Sequence, residues 1–141
     1  MTKFVESVVS TLQDPIDPTF ARSFVADTSS EQLASALVDQ LTHEVMKVPA
    51  QVWKAMFAGL LLYDDLAELD RITAPTLLVW GDADGLVDRD MQTALVQRIR
   101  GAELVIYRGI GHTPRWEDPR RFAGDVAAFV KRSLQPRPQA G

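Results

Sequence analysis

The sequence predicts an α/β chain. A helical stretch over residues 1–66 leads into a βαβα unit of parallel sheet over 67–134, and residues 135–141 form a disordered tail. Three observations carry this. Apolar residues repeat at helical spacing throughout the first seventy positions. Thr76-Leu-Leu-Val-Trp80 is then a continuous apolar run, of the kind a strand shows when both faces of a parallel sheet are covered. A second strand pattern, Leu104-Val-Ile-Tyr107, follows about thirty residues later across a helix, which is βαβ spacing.

The elements follow in order. Phe4, Val5, Val8, Val9 and Leu12 share one helical stripe, and Asp17-Pro18 pairs an N-cap with a proline at the first helical position. Thr28-Ser-Ser-Glu31 reads as a capping box opening a helix with Leu33, Leu37, Val38, Leu41 and Val45 on one face. After Pro49 the stripe is Trp53, Met56, Phe57, Leu60 and Leu61. The first strand ends at Gly81-Asp-Ala-Asp-Gly85, where both glycines are read as serving tight turns. A helix from Asp88 to Arg100 is closed by Gly101 as a C-cap. Asp118-Pro119 starts a last helix with Phe122, Val126, Phe129 and Val130 facing inward.

Composition sets outer bounds. With 141 residues, 46% of them apolar and 24% charged, the chain has the makeup of one ordinary globular domain. A net charge of −4 argues against a nucleic-acid partner. Residues 1–70 hold 4 basic and 11 acidic side chains and residues 71–141 hold 11 and 8, an asymmetry between the two halves. The absence of cysteine removes disulfides, thiolate nucleophiles and Cys-based metal sites. Glu6 interrupts what would be a signal peptide's apolar core, and the longest apolar run, Ala55 to Tyr63, is far short of the roughly 20 residues that span a bilayer. The expectation is a cytoplasmic protein with no membrane partner, no cofactor and no metal.

Chemistry concentrates beyond the carboxyl ends of the two strands, where open parallel sheets gather functional residues. Asp84 follows the first strand and His112, in Gly109-Ile-Gly-His112, follows the second. An imidazole there can take a proton from a hydroxyl and return it to a leaving group, while a carboxylate fixes its tautomer. Asp82 is the alternative for the acid. His43 stands in the helical region without an acid or hydroxyl constellation and is read as a helix-surface residue, and Asp64-Asp65 as a solvated turn.

Ala74-Pro-Thr-Leu-Leu-Val-Trp-Gly-Asp-Ala-Asp-Gly-Leu-Val87 resembles the penultimate-strand motif of α/β-hydrolases, in which the second aspartate is the triad acid. Gly111-His-Thr-Pro-Arg-Trp-Glu-Asp-Pro119 with Phe122 resembles the stretch around that family's catalytic histidine. The two motifs occur in the right order and spacing over residues 70–134. The resemblance implies a partial α/β-hydrolase fold, a helical cap region followed by the C-terminal βαβα unit, with Asp84 and His112 as catalytic acid and base. Trp53, Phe57 and Trp116 are candidate substrate-lining residues, although the spacing of Trp53, Met56 and Phe57 is equally that of core packing, and Trp116 could simply pack.

The family's nucleophile, usually Ser in Gly-x-Ser-x-Gly, has no counterpart here: Gly81 to Gly85 carries Ala83 at the serine position. The expectation is a C-terminal portion of a hydrolase for a small apolar ester-like molecule, inactive alone. Its missing half would come from an N-terminal segment or a partner chain. Epoxide hydrolysis fits less well, because that subfamily uses cap tyrosines and none precedes Tyr63. The alternative is an inert fragment that binds a partner, or itself, through an unpaired sheet edge. Asp82-Ala-Asp84-Gly85 also resembles the haloacid-dehalogenase phosphatase signature, but that family's downstream lysine and acidic pair are absent. The loop likewise fails the ligand pattern of a calcium site.

Overall fold

A computed structural model describes residues 2–30 and 33–135. The chain divides into two compact units, Met1–Ala67 and Glu68–Gly141. Most of the expected tail, 136–141, lies outside the described residues.

The first unit is helical: α1 (Thr2–Ser7), α2 (Pro18–Asp27), α3 (Ser35–Met46) and α4 (Ala50–Leu62), with a 3₁₀ turn at Val9–Thr11. Its core joins Val9, Leu12 and Ile16 to Ala21, Ala50, Trp53 and Phe57, with Phe4, Phe20 and Phe24 packed against them. The Trp53 ring meets Phe24 edge-on at 4.8 Å and Phe20 edge-on at 5.4 Å, and stacks on Phe57 at 5.9 Å. Asp17 caps α2 as expected, its Oδ1 accepting from Thr19 N and Phe20 N at 2.6 and 3.2 Å.

Two expectations for this unit are corrected. Thr28 does not open a helix. It closes α2, its hydroxyl donating to the Phe24 and Val25 carbonyls, and α3 starts at Ser35. Glu31, the other half of the supposed capping box, lies outside the described residues. The α4 stripe is also narrower than its sequence suggests. Trp53 and Phe57 are buried, but Met56, Leu60 and Leu61 are exposed because packing reaches only one edge of this almost wholly apolar helix. Among the described residues no single helix is long and apolar enough to cross a membrane; α3 and α4 reach that length only together, across a 93° bend.

In the second unit β1 (Leu77–Gly81) and β2 (Glu103–Tyr107) pair in parallel, Leu77 opposite Glu103 and Gly81 opposite Tyr107. Between them runs α5 (Arg89–Arg98), capped by Asp88 Oδ1 on Met91 N at 2.9 Å. The helix ends earlier than expected, with Ile99 as C-cap; Gly101 (φ 74°) serves the turn into β2 instead. After β2 come the single turn α6 (Pro114–Glu117) and α7 (Pro119–Ser133). Phe122, Val126 and Phe129 of α7 are half-buried, whereas Val130 is exposed, contrary to expectation. Two strands offer too narrow a face to cover a fifteen-residue helix, so α7 buries no residue fully.

Tyr107 anchors α7 to the sheet. It is fully buried, its hydroxyl donates to Asp125 Oδ2 at 2.7 Å, and the Arg121 guanidinium lies 3.8 Å over its ring. Burial, followed by the bond to Asp125, pushes the phenol up from 10.0 to about 12. Below pH 10 both folded and unfolded chains hold this proton, so its contribution to stability is constant. Above that the unfolded chain releases it first, and stability falls until the folded phenol ionises as well. Denaturant midpoints are therefore expected to decline between about pH 10 and 12, and Tyr107→Phe should flatten that decline; an unchanged slope in the variant would refute the assignment.

Candidate active site

The site is built where β1 and β2 end side by side. Gly81, the last residue of β1, is buried against the loop that follows β2: a Cβ placed on it would stand 2.1 Å from the Ile110 carbonyl oxygen and 2.3 Å from that of Gly111. Its small size is thus needed for a close backbone approach, a correction to the tight-turn reading. The two loops are then laced together. Asp82 Oδ1 accepts from Gly109 N at 2.6 Å, and Ala83 N donates to Ile110 O at 3.0 Å. Asp82 also lies 3.6 Å from the exposed Arg108 guanidinium.

This lacing brings the chemistry together. His112 Nδ1 lies 2.9 Å from Asp84 Oδ2. The other carboxylate oxygen of Asp84 accepts from Leu86 N and Val87 N at 2.8 and 3.1 Å, which holds it in place. The Asp84 side chain is 4% exposed and that of His112 is 41% exposed. In the tautomer in which Nδ1 donates to this carboxylate, Nε2 keeps a lone pair. Of the two candidate acids it is Asp84 that faces the imidazole, while Asp82 is engaged with Gly109.

The sequence reading attached no role to Glu117. Its Oε2 accepts from Gly111 N at 3.0 Å, and its Oε1 accepts from Thr113 N at 3.2 Å and from Thr113 Oγ1 at 3.0 Å. The available signal was an acid four residues beyond Thr113, across a turn begun by Pro114. Trp80 ties β1 to the acidic loop, its indole N–H donating to Val87 O at 2.8 Å.

The candidate lining residues belong to both units. Trp116, in α6, is partly exposed with the Arg115 guanidinium 4.1 Å over its ring. Trp53 sits inside the core of the helical unit. Phe57 shares that core and borders an open groove of about 480 Å³ with Met56, Gly59, Leu60 and Tyr63. His43 lies exposed on α3, and Asp64 Oδ1 accepts from Leu66 N at 3.1 Å in its turn. Among the described residues no group of three or more His, Asp or Glu side chains could hold a metal ion.

No family model matches the chain. A 2-hydroxy-6-oxononadienedioate/2-hydroxy-6-oxononatrienedioate hydrolase of Klebsiella pneumoniae is 43% identical over 65 residues, 46% of this chain and 23% of that protein. The match lies in the C-terminal part of the relative. Among solved structures, an esterase from Exiguobacterium antarcticum superposes with a TM-score of 0.83 at 17% identity, covering 93% of this chain and 48% of its own. The chain carries the C-terminal part of an α/β-hydrolase fold. An enol-lactonase from Burkholderia xenovorans LB400, also an α/β-hydrolase, agrees at a TM-score of 0.74 and 16% identity, over 80% of this chain and 44% of its own. The match spans less than a quarter of the curated hydrolase, and the chain corresponds to about half of each solved one. Asp84 and His112 lie within this α/β-hydrolase segment.

Proposed function

We propose that the chain supplies the acid and the base of a nucleophile–His–acid triad to an α/β-hydrolase acting on a small, largely apolar ester-like substrate. The nucleophile would come from residues outside these 141. The observation that carries this reading is the Asp84–His112 pair, 2.9 Å apart beyond the ends of two parallel strands, with a nearly buried carboxylate and a partly exposed imidazole.

The chemistry follows from that pairing. With a serine nucleophile, Nε2 takes the hydroxyl proton as the oxygen attacks, and the imidazolium, stabilised by Asp84, gives that proton to the leaving group. With an aspartate nucleophile, Nε2 instead takes a proton from the water that cleaves the ester intermediate and releases it to solvent. Because the Klebsiella relative is an oxononadienedioate hydrolase, an oxo-dienoic acid belongs beside simple esters among the substrates to assay. The helical unit would act as a cap, with Trp53, Phe57 and Trp116 as candidate lining.

The test is to join the chain to a segment supplying the early strands and a nucleophile elbow, drawn from its own gene or from the Klebsiella relative, and to measure hydrolysis. Turnover that disappears in His112→Ala is expected; turnover that survives it sinks the proposal.

A second reading rests on the sheet itself. Among the described residues β1 and β2 each have one strand neighbour, so each presents an edge without a strand partner, although Ile106 O of β2 accepts from the Arg121 guanidinium. On this reading the chain binds a partner, or a second copy of itself, by strand addition without catalysis. Sedimentation at high micromolar concentration is expected to show association, and a clean monomer would count heavily against self-pairing.

A further inference from the structure

We infer that Glu117 is a positioning residue for His112, an inference that rests on the reading of His112 as the base. Its carboxylate grips the backbone on both sides of the histidine, Gly111 N on one side and Thr113 N on the other, and takes the Thr113 hydroxyl as well. Fixing the peptide groups before and after residue 112 fixes the direction of its Cα–Cβ bond, and so where the imidazole points. The need is local. Residue 111 is a glycine with no side chain to hold it, and His112 is itself exposed, so little packing restrains the ring.

The neighbouring parts are arranged to suit. Thr113 and Pro114 are buried, and Trp116 N and Glu117 N both donate to Thr113 O, at 2.9 and 3.1 Å. The turn of α6 thereby folds the Glu117 side chain back over the segment it holds. As an ionised carboxylate Glu117 is acceptor-only, with lone pairs enough for all three donors. Neither a glutamine nor an alanine reproduces that set, since glutamine turns one of the two oxygens into a donor facing a backbone N–H. Glu117 thus acts on His112 through the main chain, while Asp84 acts on it through the ring.

The experiment is a ¹⁵N NMR measurement of the His112 ring in the 141-residue chain, which needs no activity. In the native chain Nδ1 should carry the proton and Nε2 should not. Glu117→Ala is expected to abolish this preference and return the ring to the Nε2–H tautomer that free histidine favours in water. Glu117→Gln should produce a partial loss, and Thr113→Val a smaller one. The Trp80 indole resonance reports whether the sheet unit is folded; if Glu117→Ala loses it, Glu117→Gln decides. A folded Glu117 variant with the native His112 tautomer would overturn the inference. Asp84→Asn separates the two claims: a native ring that is not Nδ1–H, or that Asp84→Asn leaves unchanged, removes the acid–base pair itself. A native ring that responds to Asp84 but not to Glu117 removes only the positioning role.

Discussion

Replacing His112 by alanine in the complete hydrolase is expected to lower kcat by about 10⁴- to 10⁶-fold, on the order of 5–8 kcal/mol of barrier, with little change in KM. The size follows from what the side chain does. On the proposed reading Nε2 accepts the proton in attack and gives it back in departure, beside a partner carboxylate already withdrawn from solvent. Asp84 accepts two backbone N–H groups as well as the imidazole and is 4% exposed, so it cannot swing out to serve as base itself. Asp84→Asn should cost about 10⁴-fold, because an amide presents the wrong tautomer to Nδ1. The double substitution should be scarcely worse than His112→Ala alone, since the two groups act as a unit. Steady-state kinetics on the three variants checks this. A His112→Ala enzyme within about tenfold of the native rate would mean that proton transfer is handled elsewhere.

Gly81→Ala is expected to damage the sheet unit severely for a single added methyl. The new Cβ would fall 2.1 Å from the Ile110 oxygen and 2.3 Å from that of Gly111, both main-chain atoms that no rotamer change can move. Overpacking of this kind costs about 1–3 kcal/mol, and the upper end is expected where backbone must shift. The carbonyls that would have to shift belong to the two residues preceding His112, so the same methyl should displace the imidazole from Asp84. Gly124 provides the contrast. It lies within α7 with nothing inside 4 Å of an added Cβ, so Gly124→Ala should stabilise by about 0.5–1 kcal/mol through helix propensity. Denaturant midpoints of opposite sign for the two variants are the expected outcome, and equal effects would remove the close-approach argument.

What could be read ahead of the structure divides along physical lines. β1 was legible because Leu77-Leu-Val-Trp80 is an unbroken apolar run, the pattern of a strand in a parallel sheet. The meeting of Asp84 and His112 was legible because parallel strands release their chains at the same end of a sheet. The start of α3 was not. A threonine that caps a helix and one that bonds back to the preceding turn look alike in sequence, and Thr28 does the second. The start of α4 after Pro49 was legible, but the bond that holds it was not, because Ala50 N donates to Asp14 Oδ1 from 36 residues earlier, a partner no local pattern announces. The exposed side of α4 escaped notice because a helix apolar almost all round gives no sign of which face its neighbours will cover. Glu117 was in view within a recognisable motif, but its three bonds depend on α6 closing a single turn.

The unequal exposure of the pair has its own consequence. The Asp84 side chain is almost wholly withdrawn from solvent and bonded to two backbone N–H groups and the imidazole, while the His112 side chain is partly exposed. On the proposed reading, a proton exchanged with the pair passes through the exposed imidazole and not through the withdrawn carboxylate. A group that completes this site would have to approach from that face, and in doing so it would also shut the bulk solvent out.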